Sequence, residues 1–255
     1  LMNNLSVEII NQLSDNYCYL IFNNNNSSSI VIDPAESKNI IDLLKEKKLN
    51  LDYIFITHHH SDHTSGVLSL VKEYPQVKIF SPSDLYSLSI NKISDGDLIK
   101  TSLNEFKILS SPGHTLDHIV LCDYHNNFLF VGDVLFRLGC GRIFEGTFEQ
   151  MHNSLQNLLS LPDEMKVFCG HEYTINNLNF LEHIFKNNVI LKKTKNKILK
   201  DLNSHGRSIP FNLGEEKKCN PFLNQECEMG SEFRKKNKYS NSDFFRYLRE
   251  KKDNF

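Results

Sequence analysis

The chain has 255 residues, 29 basic and 31 acidic side chains, a formal net charge of -2, 40% apolar and 24% charged residues. This is the make-up of an ordinary globular protein with a sizeable core, one large domain or one plus a smaller partner, and it excludes collagen-like, coiled-coil and disordered classes. No stretch approaches the roughly 18 apolar residues of a membrane span. Leu1-Met2-Asn3-Asn4 lacks the basic region and apolar stretch of a signal peptide, and Leu1 before Met2 reads as a reading-frame remnant, so a cytoplasmic location is expected. Tyr17 to Phe22 and Ile30 to Ile32 are β-prone runs separated by the polar tract 23–29, which reads as a hairpin loop. Ser37 to Lys47 has Ile40, Ile41, Leu43 and Leu44 at helical spacing and feeds a short strand, Tyr53 to Ile56. Further strand-like runs are Val77 to Phe80, Phe106 to Leu109, Ile119 to Cys122, Phe128 to Val131 and Val167 to Phe168, with a helix over Phe148 to Leu161. This order predicts sheets covered by helices, an α/β (α+β) class.

After Tyr173 the strand-like runs disappear. Thr174 to Phe185, Val189 to Leu202 and Ser242 to Lys252 read as helices, broken at Asn203-Ser204-His205-Gly206 and Asn220-Pro221. The charge changes with the pattern: residues 1–173 hold 12 basic and 21 acidic side chains, residues 174–255 hold 17 and 10. A boundary near 173 and a basic module suited to an anionic ligand are therefore expected. Six cysteines without a CxxC pair give neither a zinc ribbon nor a disulfide framework, and reduced thiols near the core are expected.

The chemistry concentrates in Thr57-His58-His59-His60-Ser61-Asp62-His63, directly after a predicted strand. Chance would produce an HxHxDH arrangement here on the order of 0.001 times. Imidazoles crowded at a strand end lack hydrogen-bond partners unless a divalent cation uses their nitrogens and the nearby carboxylate. In an extended segment His58 and His60 project the same way, whereas Asp62 and His63 fall where the chain turns into a helix beginning near Thr64. Two adjacent ions follow, completed by later strand ends: Ser111-Pro112-Gly113-His114, Val131-Gly132-Asp133 and Cys169-Gly170-His171. His59 points to the opposite side and reads as structural. His118, His125, His152, His183 and His205 are isolated and read as ordinary structural histidines.

THxHxDH with the later Gly-His, Gly-Asp and Gly-His resembles the metallo-β-lactamase superfamily, whose fold is an αββα sandwich. Within it the chain is similar to glyoxalase II, the hydroxyacylglutathione hydrolases, through Asp15-Asn16-Tyr17, Asp33-Pro34, THHHSDHT, SPGHT, VGD, GCGR with Glu145-Gly146-Thr147, CGHEYT, Asn220-Pro221-Phe222 and Arg249-Glu250-Lys251-Lys252-Asp253. The resemblance covers nearly the whole chain. It implies a catalytic domain over 1–173 and a small helical glutathione-binding domain over 174–255. It implies that His58, His60 and His114 hold one metal, Asp62, His63 and His171 the second, and Asp133 bridges both, with Asp62 and Asp133 counted as catalytic. Zinc fits these donors first, and iron or manganese are also accommodated. The ions would share a water acidified to a pKa of about 7, a hydroxide that attacks the thioester of an S-(2-hydroxyacyl)glutathione such as S-D-lactoylglutathione. Arg249 and Lys252, at i and i+3, could face one carboxylate of glutathione, and Arg142 and Tyr173 match glutathione-contacting positions. Phe144 departs from the family, which commonly has Tyr there. The expected working form is a cytoplasmic monomer taking a glutathione thioester, with no nucleic acid and no membrane. Competing readings are a single-iron glutathione persulfide dioxygenase, disfavoured by the helical tail and the full ligand set and separable by oxygen consumption; a superfamily nuclease, for whose inserted domain 255 residues leave no room; and a degenerate binding module, which would have lost ligands.

Overall fold

A computed structural model describes residues 5–255; the reading of Leu1 to Asn4 lies outside the described residues. The chain divides into two compact units, residues 1–110 with 117–132, and residues 111–116 with 133–255.

The first unit contains β1 (Ser6–Gln12), β2 (Asn16–Phe22), β3 (Ser28–Ile32), α1 (Lys38–Lys47), β4 (Asn50–Phe55), α2 (Ser61–Thr64), α3 (Val67–Glu73), β5 (Lys78–Ser81), β6 (Ile90–Lys92), β7 (Leu98–Lys100), β8 (Glu105–Ser110), β9 (Ile119–Asp123) and β10 (Phe128–Gly132). β1 to β6 form one sheet in chain order. Its first three strands are antiparallel, and β3, β4, β5 and β6 run parallel. β7 to β10 pair antiparallel in sequence. Every residue of β2 is buried, as expected of a strand covered on both faces. The period of two sorts its side chains: Cys18, Leu20 and Phe22 join Val31, Ile54 and α1 residues Ile40 and Leu44 in one core layer. Tyr19 and Phe55 face the other way, where they meet Phe130 and Phe106 at ring-centroid distances of 5.3 and 5.1 Å. The tract 23–27 is a surface turn between antiparallel strands, as its composition predicts. Strand β1 has no strong alternating pattern and is recruited by its seven-residue pairing with β2.

The second unit contains β11 (Leu135–Phe136), β12 (Gly139–Cys140), α4 (Phe148–Leu159), β13 (Lys166–Cys169), α5 (Thr174–Ile184), α6 (Val189–His205), β14 (Phe211–Asn212), α7 (Leu213–Cys219), α8 (Ser231–Lys236) and α9 (Asn241–Asp253). Capping explains several boundaries. Thr147 and Gln150 form a reciprocal capping box on α4, and Asn188 and Ser240 cap α6 and α9. Gly206 ends α6 in the left-handed region at φ 69°. Asn220, ahead of Pro221, ends α7 as expected. One strand persists beyond residue 173: β14 pairs antiparallel with β13. α9 buries Phe244, Phe245 and Leu248, the apolar face that its spacing predicts.

Candidate metal centre

The HxHxDH segment leaves β4 through a set of bonds to one residue outside it. Asp33, at φ 53°, accepts the Thr57 amide on Oδ1 at 2.8 Å and the Thr57 hydroxyl on Oδ2 at 2.7 Å. Because that hydroxyl spends its proton on Asp33, Thr57 Oγ1 meets His58 Nδ1, 2.9 Å away, as an acceptor. His58 therefore carries its proton on Nδ1 and presents a lone pair at Nε2. The same carboxylate fixes His63, whose Nδ1 lies 3.0 Å from Asp33 Oδ2, and both side chains are buried. His58, His63 and Asp33 offer ligand atoms within 4.8 Å of one another. Asp33 thus anchors this segment, holding Thr57 through both oxygens and His63 through Oδ2.

The ligand candidates of the first unit converge on one side of this anchor. The His58 ring lies 4.7 Å from His60 and 4.3 Å from His63. His63 Nε2 is 3.5 Å from Asp62 Oδ2, and Asn16 Nδ2 donates to both the Asp62 carboxylate and its carbonyl at 3.0 Å. The helix that carries Asp62 and His63 begins at Ser61, three residues earlier than expected, because Thr64 Oγ1 and the His63 amide both bond back to His60 O. His59, as expected, stands apart and bonds Asp117 through Nδ1 at 3.0 Å. His118, isolated in the sequence, is buried and stacked on His58 at 4.7 Å.

In the second unit His114, Asp133 and His171 come together and are all buried. His114 Nδ1 lies 2.8 Å from the Arg142 carbonyl, which can only accept, so Nε2 again holds the lone pair. That atom is 3.3 Å from Asp133 Oδ2, and His171 Nε2 is also 3.3 Å from the same oxygen. Two lone-pair atoms aimed at each other in a buried place repel, and a divalent cation shared between them turns repulsion into coordination. The donor set fits such an ion. Imidazole nitrogens and carboxylate oxygens suit zinc, iron and manganese alike.

The four predicted substrate residues occupy the same unit in different states. Tyr173 is partly exposed and stacks on His171, with centroids 4.7 Å apart and planes 4° apart. Lys252 bonds the side chain and the carbonyl of Asn176 and sits over Phe180 at 5.4 Å, and burial followed by repulsion from Arg249 lowers its pKa to about 8. Arg142 is half exposed and bonds Asp253 Oδ1 at 3.3 Å. Arg249 is buried: Nη1 donates to Cys140 O at 2.8 Å, and Nε and Nη2 donate to Asp253 Oδ1 at 3.1 and 2.8 Å. Asp253 thus holds both arginines. Sequence reasoning gave Asp33 and Asn16 no anchoring role; the signals were the motifs Asp15-Asn16-Tyr17 and Asp33-Pro34, the latter standing directly after an apolar strand.

All six cysteines are buried and none is joined in a disulfide, in keeping with the sequence reading. Among the described residues no helix is long and apolar enough to cross a membrane.

The fold and the histidine-aspartate donor groups define the class. Residues 13–171 match the metallo-beta-lactamase superfamily, and the structure is similar to that of ETHE1 from Myxococcus xanthus (TM-score 0.68, 24% identity, 95% of this chain and 89% of that one). It is also similar to TTHA1623 in a di-iron-bound form (TM-score 0.55, 25% identity, 65% and 91%). Residues 172–255 match the hydroxyacylglutathione hydrolase C-terminus. The hydroxyacylglutathione hydrolase of Aliivibrio fischeri is 43% identical over 86% of both chains, and that of Photobacterium profundum is 37% identical over 98% of this chain and 100% of its own. The chain belongs to the hydroxyacylglutathione hydrolase family.

Proposed function

We propose that this protein hydrolyses the thioester of S-(2-hydroxyacyl)glutathione, S-D-lactoylglutathione above all, releasing glutathione and a 2-hydroxy acid such as D-lactate, the second step of methylglyoxal detoxification. The observation that carries the reading is that Nδ1 of His58, His63 and His114 each faces an oxygen, of Thr57, Asp33 and the Arg142 carbonyl, an arrangement that supports Nε2 of each ring as the ligand atom. In this reading His58, His60 and His114 hold one ion, Asp62, His63 and His171 a second, and Asp133 both. When bound, two divalent ions, zinc before iron or manganese, supply a nucleophilic water of lowered pKa and stabilise charge on the thioester oxygen. Asp62 and Asp133, the acidic ligands, are the residues on which the chemistry depends. The departing thiolate, from a thiol of pKa about 8.5, needs no general acid from the chain.

Residues 1–173 form the catalytic domain and 174–255 the substrate domain, whose basic excess supplies the attraction for the glutathione carboxylates. Lys252 grips glutathione from α9 and Arg142 joins it, while Arg249, its donors engaged by Cys140 O and Asp253, holds the helix that presents Lys252; Tyr173 lies along the ligand beside His171. The protein works as a cytoplasmic monomer on this small anion, without nucleic acid or membrane.

The deciding experiment is hydrolysis of S-D-lactoylglutathione by zinc-reconstituted protein, followed at the thioester absorbance. Rapid loss of the thioester is expected, and a fully metallated protein that leaves it intact refutes the proposal. Asp133→Ala should lose metal as well as rate, because one carboxylate serves both ions; retained metal and activity would remove Asp133 from the ligand set.

A further inference from the structure

Ten residues, 133–142, join two pieces of the proposed centre. Asp133 opens the segment, and the Arg142 carbonyl that holds the His114 proton closes it. Between them the chain makes the β11–β12 hairpin, with Arg137 and Leu138 at its turn and Leu138 in the left-handed region at φ 60°. Gly141 N bonds Val134 O at 3.1 Å, and a Cβ added at Gly141 would lie 1.9 Å from Asp133 O. The two ends of the segment are therefore in close contact, and a shift of the hairpin moves Asp133 and the His114 acceptor together.

A two-residue turn leaves polar backbone groups that need partners when buried. Here side chains from residues 174–255 supply them. Glu216 Oε2 accepts the Leu138 amide at 2.9 Å, and Asn220 Nδ2 donates to Gly139 O at 3.1 Å and Phe136 O at 3.3 Å. Asn177 Nδ2 donates to Arg137 O at 3.1 Å, and Arg137 itself bonds Asp201 and Ser208 O at 2.9 and 2.7 Å. Glu216 and Asn220 are 2% and 0% exposed, so these bonds are made out of water, where a missing partner is not replaced. Glu216 thus holds the amide of the left-handed Leu138, and Asn220 keeps the strand ends on either side of it in place.

We propose that Glu216 and Asn220 are positioning residues for the His114–Asp133 half of the metal centre, acting through the hairpin. The inference rests on the metal-centre reading above and extends it: the segment after residue 173 shapes the metal site as well as the substrate site.

The test is zinc affinity, measured by competition with a chromophoric chelator, on the full-length zinc-loaded protein and its variants. Glu216→Ala should weaken one of two zinc ions at least about tenfold, within the 10 to 100-fold range typical of residues that orient ligands. Glu216→Gln, which keeps an acceptor for the Leu138 amide, should bind within about threefold of wild type. Asn220→Asp, which keeps the acceptor for Phe222 N but loses both hairpin donations, should weaken the same ion and provides the test if Glu216→Ala does not fold. Leu44→Ala, in the core of the first unit, lowers the melting temperature without reaching the hairpin and should leave zinc affinity unchanged. Wild-type affinity in both Glu216→Ala and Asn220→Asp, or a loss in Leu44→Ala as large as theirs, overturns the role. A wild-type protein that binds no zinc overturns the metal centre itself, a result visible before any variant is compared.

Discussion

Replacing Asp33 by Asn separates orientation of the metal ligands from packing. The two side chains have nearly the same shape, but the amide has one acceptor where the carboxylate has two. Thr57 N can only donate, so the amide oxygen takes the place of Oδ1, 2.8 Å from it. The NH2 group then occupies the Oδ2 position, facing Thr57 Oγ1 at 2.7 Å and His63 Nδ1 at 3.0 Å. To accept from it, His63 must move its proton to Nε2 and lose the ligating lone pair. Thr57, now accepting from the amide, turns its own proton toward His58 Nδ1 and drives that ring to the same tautomer. One changed atom thus opposes two ligands. Losing a ligand-orienting partner typically costs 10 to 100-fold in metal affinity, about 1.4 to 2.8 kcal/mol. The count of hydrogen bonds is unchanged, so stability of the metal-depleted protein should move by less than about 1 kcal/mol. Asp33→Ala is the contrast: it strands three donors in a buried place at about 1 to 3 kcal/mol each, a large share of the 5 to 15 kcal/mol that holds a typical domain. Zinc competition and thermal unfolding, run together, give both quantities. If Asp33→Asn binds zinc as wild type does at unchanged stability, the tautomer argument is wrong.

The tail predicts a split between binding and chemistry. Neutralising Lys252 to Met should raise KM more than it lowers kcat, with the lost charge-assisted contact worth about 1.5 to 3 kcal/mol, or roughly 10 to 150-fold in kcat/KM; an unchanged KM would show that Lys252 is not the clamp. Because Lys252 titrates at about 8, KM should climb as the ammonium is lost above that pH, and Lys252→Arg should flatten the climb. Glu216 is raised from an ordinary 4.5 to about 7, chiefly by burial. Its folded-state pKa lies above the unfolded one, so the stability it contributes is complete below pH 4.5 and lost as pH rises through 7, by about 3 kcal/mol. Chemical denaturation of Glu216→Gln between pH 4.5 and 8 should lack that decline, and an identical profile to wild type would refute it. Gly132 sits at φ 47°, and an added Cβ would lie 2.6 Å from Thr57 Oγ1 and 2.7 Å from His118 Nε2. Gly132→Ala should cost at least about 1 to 2 kcal/mol from the left-handed backbone alone, read as a lower melting temperature; a wild-type melting temperature would contradict it.

What the sequence by itself determined is whatever depends on neighbours along the chain. The alternation of His58 and His60, the fall of Asp62 and His63 onto the next turn, the helix over Lys38–Lys47 and the turn at 23–27 are local, and a period of two or 3.6 exposes them. The elements it left unread are short. β14 has two residues and α7 seven, and they exist because Lys166 and Val167 offer a strand edge and Asn212 caps the helix at Glu215 N. The tertiary structure alone decided the state of each ligand. Asp33 lies 24 residues from Thr57 and 30 from His63, and nothing in the HxHxDH spacing says where an imidazole proton goes. It also decided that Arg249, read from its spacing as an outward cation, is buried against a carbonyl 109 residues away. A guanidinium can leave water only where fixed acceptors replace it, and Cys140 O and Asp253 become such acceptors only once the fold has brought them there.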